Sequence, residues 1–145
     1  MTTKRTGTPW MASDAYGKTL AGLSLNLIVR DVAASVPFYR DVLGMTVHYA
    51  DADMAALQLD TTQIVLHADH TYDKQPWAGR LAAVGKRGLG AEIRILGIDP
   101  DAAERKAKDR GASVLVGARD WPHGWRDVLL EDPDGYTFAV GMALP

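Results

Sequence analysis

The stretch Leu23–Val47, LSLNLIVRDVAASVPFYRDVLGMTV, decides the fold. Up to Val29, the residues Leu25, Leu27 and Val29 alternate with Ser24, Asn26 and Ile28, the period of two expected of a strand with one face on a core. Asp31 is placed to cap a following helix, on which Val36, Tyr39, Val42 and Leu43 fall at helical spacing. Gly44 stands where a left-handed C-terminal residue is wanted, and Met45–Tyr49 resumes a strand. Pro37 has no N–H and is costly inside a helix, so the pattern predicts a helix start nearer Ala34, with the proline in its first turn.

The same unit recurs further on. Glu92–Leu96 (EIRIL) reads as a strand, and Asp99-Pro100-Asp101 supplies a cap, a proline at the first helical position and an acid for the helix dipole. Ala102–Arg110 is predicted helical, Gly111 stops it, and Ser113–Val116 is the next strand. Asp31 and Asp99 stand about 68 residues apart, and Gly44 and Gly111 nearly the same. Each copy then runs into a hairpin: Ala56–Leu59 and Gln63–His67 about a turn at Asp60–Thr62, then Arg126–Leu130 and Tyr136–Val140 about Pro133-Asp134-Gly135. The prediction is α+β, two tandem βαβββ modules.

With LIVRDVAASVPFYRDVLG in the first copy and EDPDGYTFAV closing the second, the chain resembles the vicinal oxygen chelate superfamily. That superfamily includes glyoxalase I, extradiol dioxygenases, fosfomycin-resistance enzymes and bleomycin-resistance proteins. The resemblance covers about Leu23–Met142 and implies a curled mixed sheet with a concave cleft, and a homodimer whose clefts are built from both chains. Because this fold hosts both enzymes and binders, it does not choose between them.

Composition agrees with one domain over residues 23–145: module one at about 23–68, a linker at about 69–90, module two at about 91–142. The 145 residues, 47% apolar, are enough for a core. Without cysteine there is no thiol catalysis, disulfide or thiolate metal site. Net charge is −2 with dispersed Lys and Arg, giving no nucleic-acid footprint. No apolar run reaches membrane-spanning length and the first residues lack a signal-peptide core, so a cytoplasmic protein is expected. The N-terminal arm, 1–22, carries Trp10, Met11 and Tyr16. It reads either as a disordered start or as an arm packing Trp10 and Met11 on its own sheet or on a partner subunit. The linker is expected to be a flexible connector, and its GKRGLG lacks phosphate-loop spacing.

In the metal-dependent members the resemblance places ligands on the first and last strand of each module, facing the concave side. Carried over, those positions are Ser24, Glu92, Ala139 (where a glutamate is usual) and, with the register open, Val65 or His67. At best His67 and Glu92 can ligate, short of the three ligands a catalytic site needs. His70 lies on the opposite strand face from His67 unless the strand ends between them, and Asp69 or Asp73 could join only from the loop. No cofactor is expected, with a divalent metal at His67 and Glu92 as the alternative.

By strand parity Ser24, Asn26 and Ile28 face the implied cleft from module one, and Glu92, Arg94 and Leu96 from module two. Ile93 and Ile95 pack on the helix. Glu92 and Arg94 either pair with each other or offer an acceptor and a fork-shaped donor to a polar ligand. DWPHGW places Trp121 and Trp125 around His123 on a turn, either as an aromatic pocket wall or as a cap on the open end of the sheet. The candidate ligand residues are thus Asn26, Tyr49, His67, Trp77, Glu92, Arg94, Trp121 and Trp125. Glu92 and His123 are candidate bases, although His123 also reads as a solvent-facing loop histidine.

The resemblance and these residues together imply a metal-free small-molecule binder of the bleomycin-resistance type, sequestering a polar or aromatic ligand. A charge of −2 is mild for a binder of the cationic drug itself. The alternatives are a metal-dependent glyoxalase-like lyase or extradiol-type dioxygenase, a metal-free isomerase using Glu92 or His123, and a partner-binding module.

Overall fold

Alternation in the strands and two capped helices generate the same architecture twice. The structure, a computed structural model, describes residues 6–145, so residues 1–5 of the expected arm lie outside the described residues. The described chain falls into two compact units, 6–40 with 44–83 and 41–43 with 84–145.

In the first unit a short helix, α1 (Ser13–Gly17), precedes β1 (Ser24–Val29), α2 (Val32–Pro37), β2 (Thr46–Ala50), β3 (Met54–Leu59) and β4 (Thr62–Ala68). The sheet order is β1-β4-β3-β2, with β1 parallel to β4 and the remaining pairs antiparallel. The Asp31 carboxylate accepts from Ala34 N at 3.1 Å, which starts the helix at Val32 rather than near Ala34. Pro37 therefore lies six residues in, and the chain accommodates it by continuing as a π-helical turn over Phe38–Val42. Val32, Val36 and Tyr39 are buried, as are Val29, Leu57, Ile64 and Leu66 of the sheet. Each such side chain contributes about 1.5–3 kcal/mol on full burial. Gly44 leaves the helix at φ 74°.

The second unit repeats this with β5 (Glu92–Leu96), α4 (Pro100–Asp109), β6 (Ser113–Trp121), β7 (Trp125–Glu131) and β8 (Thr137–Ala143), in the order β5-β8-β7-β6. Asp99 caps α4 by accepting from Asp101 N at 2.9 Å, and Gly111 ends it at φ 68°. Ala103 and Ala107 of α4 are buried, as are Ile95, Val128, Leu130, Phe138 and Val140 of the sheet. Neither four-stranded sheet closes on itself. The expected α+β repeat of βαβββ modules is what the chain forms.

Two segments differ from expectation. The linker holds a 3₁₀ turn at Asp69–Tyr72 and a short helix, α3 (Ala78–Leu81), so it is not a plain connector. Strand β6 runs on to Trp121 and β7 begins at Trp125, so the two tryptophans are not borne on a turn but face each other as paired residues closing a hairpin. No helix among the described residues is long and apolar enough to cross a membrane.

Candidate functional site

Sheet register decides which side chains share the face of the first sheet away from α2. Asn26 pairs with Val65 and Ile28 with His67 across β1 and β4, while Met54 pairs with His67 and Ala56 with Val65 across β3 and β4. Val65 and His67, two apart on β4, stand on the same face as Asn26, and Val65 opposite Asn26 corresponds in register to Ala139 opposite Arg94 in the second sheet. Tyr49, opposite Ala56, joins them.

A hydrogen-bonded chain crosses this face. Asn26 Nδ2 donates to the Tyr72 hydroxyl at 2.8 Å, which leaves Asn26 Oδ1 to accept from His67 Nδ1 at 2.7 Å. That partner fixes the neutral imidazole as the Nδ1–H tautomer, with its lone pair on Nε2. The His67 ring meets Tyr72 edge-on at 4.9 Å, and Trp77 stacks behind Tyr72 at 5.9 Å. Asn26, His67 and Trp77 are thus brought together through Tyr72, which the 3₁₀ turn delivers.

The N-terminal arm folds over the same face. Trp10 stacks on Tyr49 at 4.4 Å, nearly parallel, and meets Tyr16 at 5.2 Å. Tyr16 and Tyr49 pack against buried Met54, Ala56 and Val65. Of the two readings of the arm, packing on its own sheet is the one realised. Between arm and sheet remains a cavity of about 240 Å³. Its arm side is Pro9, Trp10, Met11, Ser13, Tyr16 and Leu20; its sheet side is Ser24, Asn26, Met54, Val65 and His67, with Tyr72. Burial raises the Tyr16 phenol above its ordinary range.

One carboxylate anchors the arm. Asp53, 0% exposed, accepts from Thr6 N at 2.8 Å, Gly7 N at 3.0 Å, the Thr6 hydroxyl, and His70 Nε2 at 2.8 Å. Burial alone pushes its pKa up; the hydrogen bonds from Thr6, His70 and Gly7 outweigh this and hold it well below the usual carboxylate range. His70, considered above as a metal ligand, is instead the partner of this anchor.

The remaining candidates lie on the corresponding face of the second sheet. Glu92 and Arg94 are exposed on the side opposite Ile93 and Ile95, as parity predicts. They form no ion pair with each other; the Arg94 guanidinium lies 5.5 Å over the Trp125 ring. Arg119 caps Trp121 at 3.8 Å, and exposed His123 stacks against Trp121 at 6.2 Å. Neither Glu92 nor His123 has a hydrogen-bonded partner among the described residues to orient it as a base.

The donor set does not suit the divalent metal found in part of this fold family. Among the described residues no three His, Cys, Asp or Glu side chains converge as a metal site requires. Ser24 and Ala139 occupy two of the positions where ligands would be needed, and His67 is engaged with Asn26.

Sequence reading missed Tyr72, Tyr16, Met54 and Asp53. Asp53 could not have been found: its partners on the arm lie more than forty residues away and no local period announces them. Tyr72 had a weak signal, an aromatic among polar residues just beyond a strand ending in histidine.

Comparison with known proteins agrees with this architecture. The sequence model of the Glyoxalase/Bleomycin resistance protein/Dioxygenase superfamily matches residues 23–140. No curated protein matches the chain. Among solved structures, a glyoxalase/bleomycin resistance protein/dioxygenase from Nocardioides is 21% identical, over 90% of this chain and 92% of that one, with TM-score 0.64. A glyoxalase/bleomycin resistance protein/dioxygenase family enzyme from Burkholderia phytofirmans PsJN is 20% identical, over 83% and 97%, with TM-score 0.68. A glyoxalase-related enzyme from Fulvimarina pelagi is 17% identical, over 85% and 88%, with TM-score 0.68. At these identities the likeness carries the fold alone; the matched model, with the repeated βαβββ modules, carries the membership: the chain belongs to the Glyoxalase/Bleomycin resistance protein/Dioxygenase superfamily.

Proposed function

We propose that this chain is a metal-independent small-molecule-binding member of its superfamily, holding its ligand on the arm-covered face of the first sheet. The observation that carries this reading is the cavity of about 240 Å³ with aromatic walls and a single hydrogen-bonded cluster, Asn26–His67–Tyr72. Small-molecule sites combine apolar, aromatic linings with a few convergent polar groups in this way. A homodimer in the cytoplasm is the setting in which we place it. Glu92, Arg94, Trp121 and Trp125 are assigned a secondary role on the second sheet, where stacked arginines offer donors to a polar ligand.

A panel of metabolites and antibiotics screened by intrinsic tryptophan fluorescence tests the reading, with wild type and Trp10→Phe side by side, each measured with and without chelator. A ligand seated in the cavity changes wild-type emission, and the change is lost or strongly reduced in Trp10→Phe. A response that is identical in the variant places the ligand elsewhere, and one abolished by chelator returns the metal-dependent lyases and dioxygenases to consideration.

A further inference from the structure

The arm lies outside the part of the chain that the family model matches, yet it supplies half of the cavity wall. What the site accepts is therefore set largely by residues outside the matched segment. Four features of the wall narrow the ligand.

Size comes first. A cavity of about 150 Å³ takes up benzene, so about 240 Å³ leaves space beyond one ring. Charge comes second: no Lys, Arg, Asp or Glu lines the cavity. A carboxylate or ammonium placed there would lose its hydration without gaining a counter-ion, a cost larger than the contacts return. Shape comes third, because Trp10, Tyr16 and Tyr72 present flat apolar surfaces that stack favourably on another ring. The last feature is polarity. The Tyr72 oxygen accepts from Asn26 Nδ2, so what Tyr72 has left to present is its hydroxyl proton, for which the described residues supply no acceptor. A ligand that fills the cavity must accept that hydrogen bond or leave a buried donor unsatisfied.

Resting on the binding reading above, we infer that the ligand is an uncharged aromatic molecule of one to two rings bearing a carbonyl-type acceptor, selected by Trp10 and Tyr16 of the arm and oriented by Tyr72. Aromatic amides and lactams have this chemistry. Their anionic and cationic counterparts of the same ring do not.

Three near-isosteric probes separate these possibilities by titration calorimetry on the full chain: 2-naphthamide, 2-naphthoate and 2-naphthylmethylammonium. The amide is expected to bind at least about tenfold more tightly than either ion, the burial cost of an unpaired charge making the difference. Tyr72→Phe keeps the ring and removes the donor, so it should weaken the amide about tenfold while leaving 2-methylnaphthalene unchanged. Trp10→Ala should abolish binding of both neutral probes. Either ion binding as tightly as the amide overturns the ligand class but leaves the binding reading standing. An amide indifferent to Tyr72→Phe overturns the orienting role. Silence from all three probes overturns the inference, whereas the binding reading falls only if the wider fluorescence panel is silent as well.

Discussion

Replacing Asp53 with asparagine should release the arm while leaving the rest of the first unit folded. In the wild type the carboxylate accepts from Thr6 N, Gly7 N, the Thr6 hydroxyl and His70 Nε2. Asparagine keeps the shape but has one acceptor oxygen, and its amide group turns a donor toward at least one of these donors. Hydrogen bonds to charged groups contribute about 1.5–3 kcal/mol each, so the substitution removes about 3 kcal/mol or more. The loss in global stability is capped by what docking the arm is worth. Trp10 is 41% exposed and so hides somewhat over half its surface. At about 25 cal/mol per Å² and about 200 Å² for a tryptophan, that is about 3 kcal/mol. The two figures agree, and for a chain of this length they correspond to a melting temperature lower by about 6–12 °C. Hydrogen exchange read by mass spectrometry should show residues 6–20 losing protection while β1, β3 and β4 keep theirs. A variant melting within about 1 °C of wild type, with the arm still protected, would refute the assignment of Asp53 as the anchor.

The same carboxylate gives a pH signature. Its folded pKa is depressed, so its stabilisation is fully present above the unfolded value near 4 and is lost progressively as pH falls from there through the depressed folded value. Melting curves of wild type and Asp53→Asn should therefore be furthest apart at pH 5–7 and the gap should narrow steadily below pH 4; a constant gap contradicts the linkage. Gly141 is a packing constraint in the second unit: a Cβ there would lie 2.3 Å from the Arg126 carbonyl oxygen and 2.5 Å from Asp127 Cβ. Gly141→Ala is expected to cost about 2–3 kcal/mol in denaturant unfolding, and a neutral result would show that β7 and β8 separate more easily than their register implies. Arg94, exposed and engaged among the described residues only with the Trp125 ring, should be dispensable for stability: Arg94→Ala loses about 0.5–1 kcal/mol, and a larger loss would reveal a structural pair. Protein incubated with Zn, Mn and Fe(II) and then desalted should retain far less than one equivalent of metal, and near-stoichiometric retention lost in His67→Ala would reverse the metal-independent reading.

Much of the fold was legible because its signals are local. Asp31 and Asp99 cap helices at matching places, Gly44 and Gly111 end them with positive φ, and strand alternation put Glu92 and Arg94 on one face with Ile93 and Ile95 on the other. Pro37 misled because the π turn that follows it allows the helix to start two residues earlier than the proline alone suggests. DWPHGW misled because its turn residues occupy only the middle of the motif, while Trp121 and Trp125 pair across the hairpin. At the candidate site, Asn26 and His67 were reachable by parity. Tyr72, Tyr16 and Asp53 were not, since what makes them matter is contact across more than forty residues: Tyr72 with Asn26, and Asp53 with Thr6 and Gly7. Such contacts leave no periodic trace in the sequence.

The most direct test of the central claim is backbone amide shift mapping with the tightest compound from the fluorescence panel. The account predicts perturbations clustered on residues 9–20, on Ser24 and Asn26, on Met54, and on Val65 to Tyr72. Perturbations centred instead on Glu92, Arg94 and Trp125, with the arm unmoved, would contradict it.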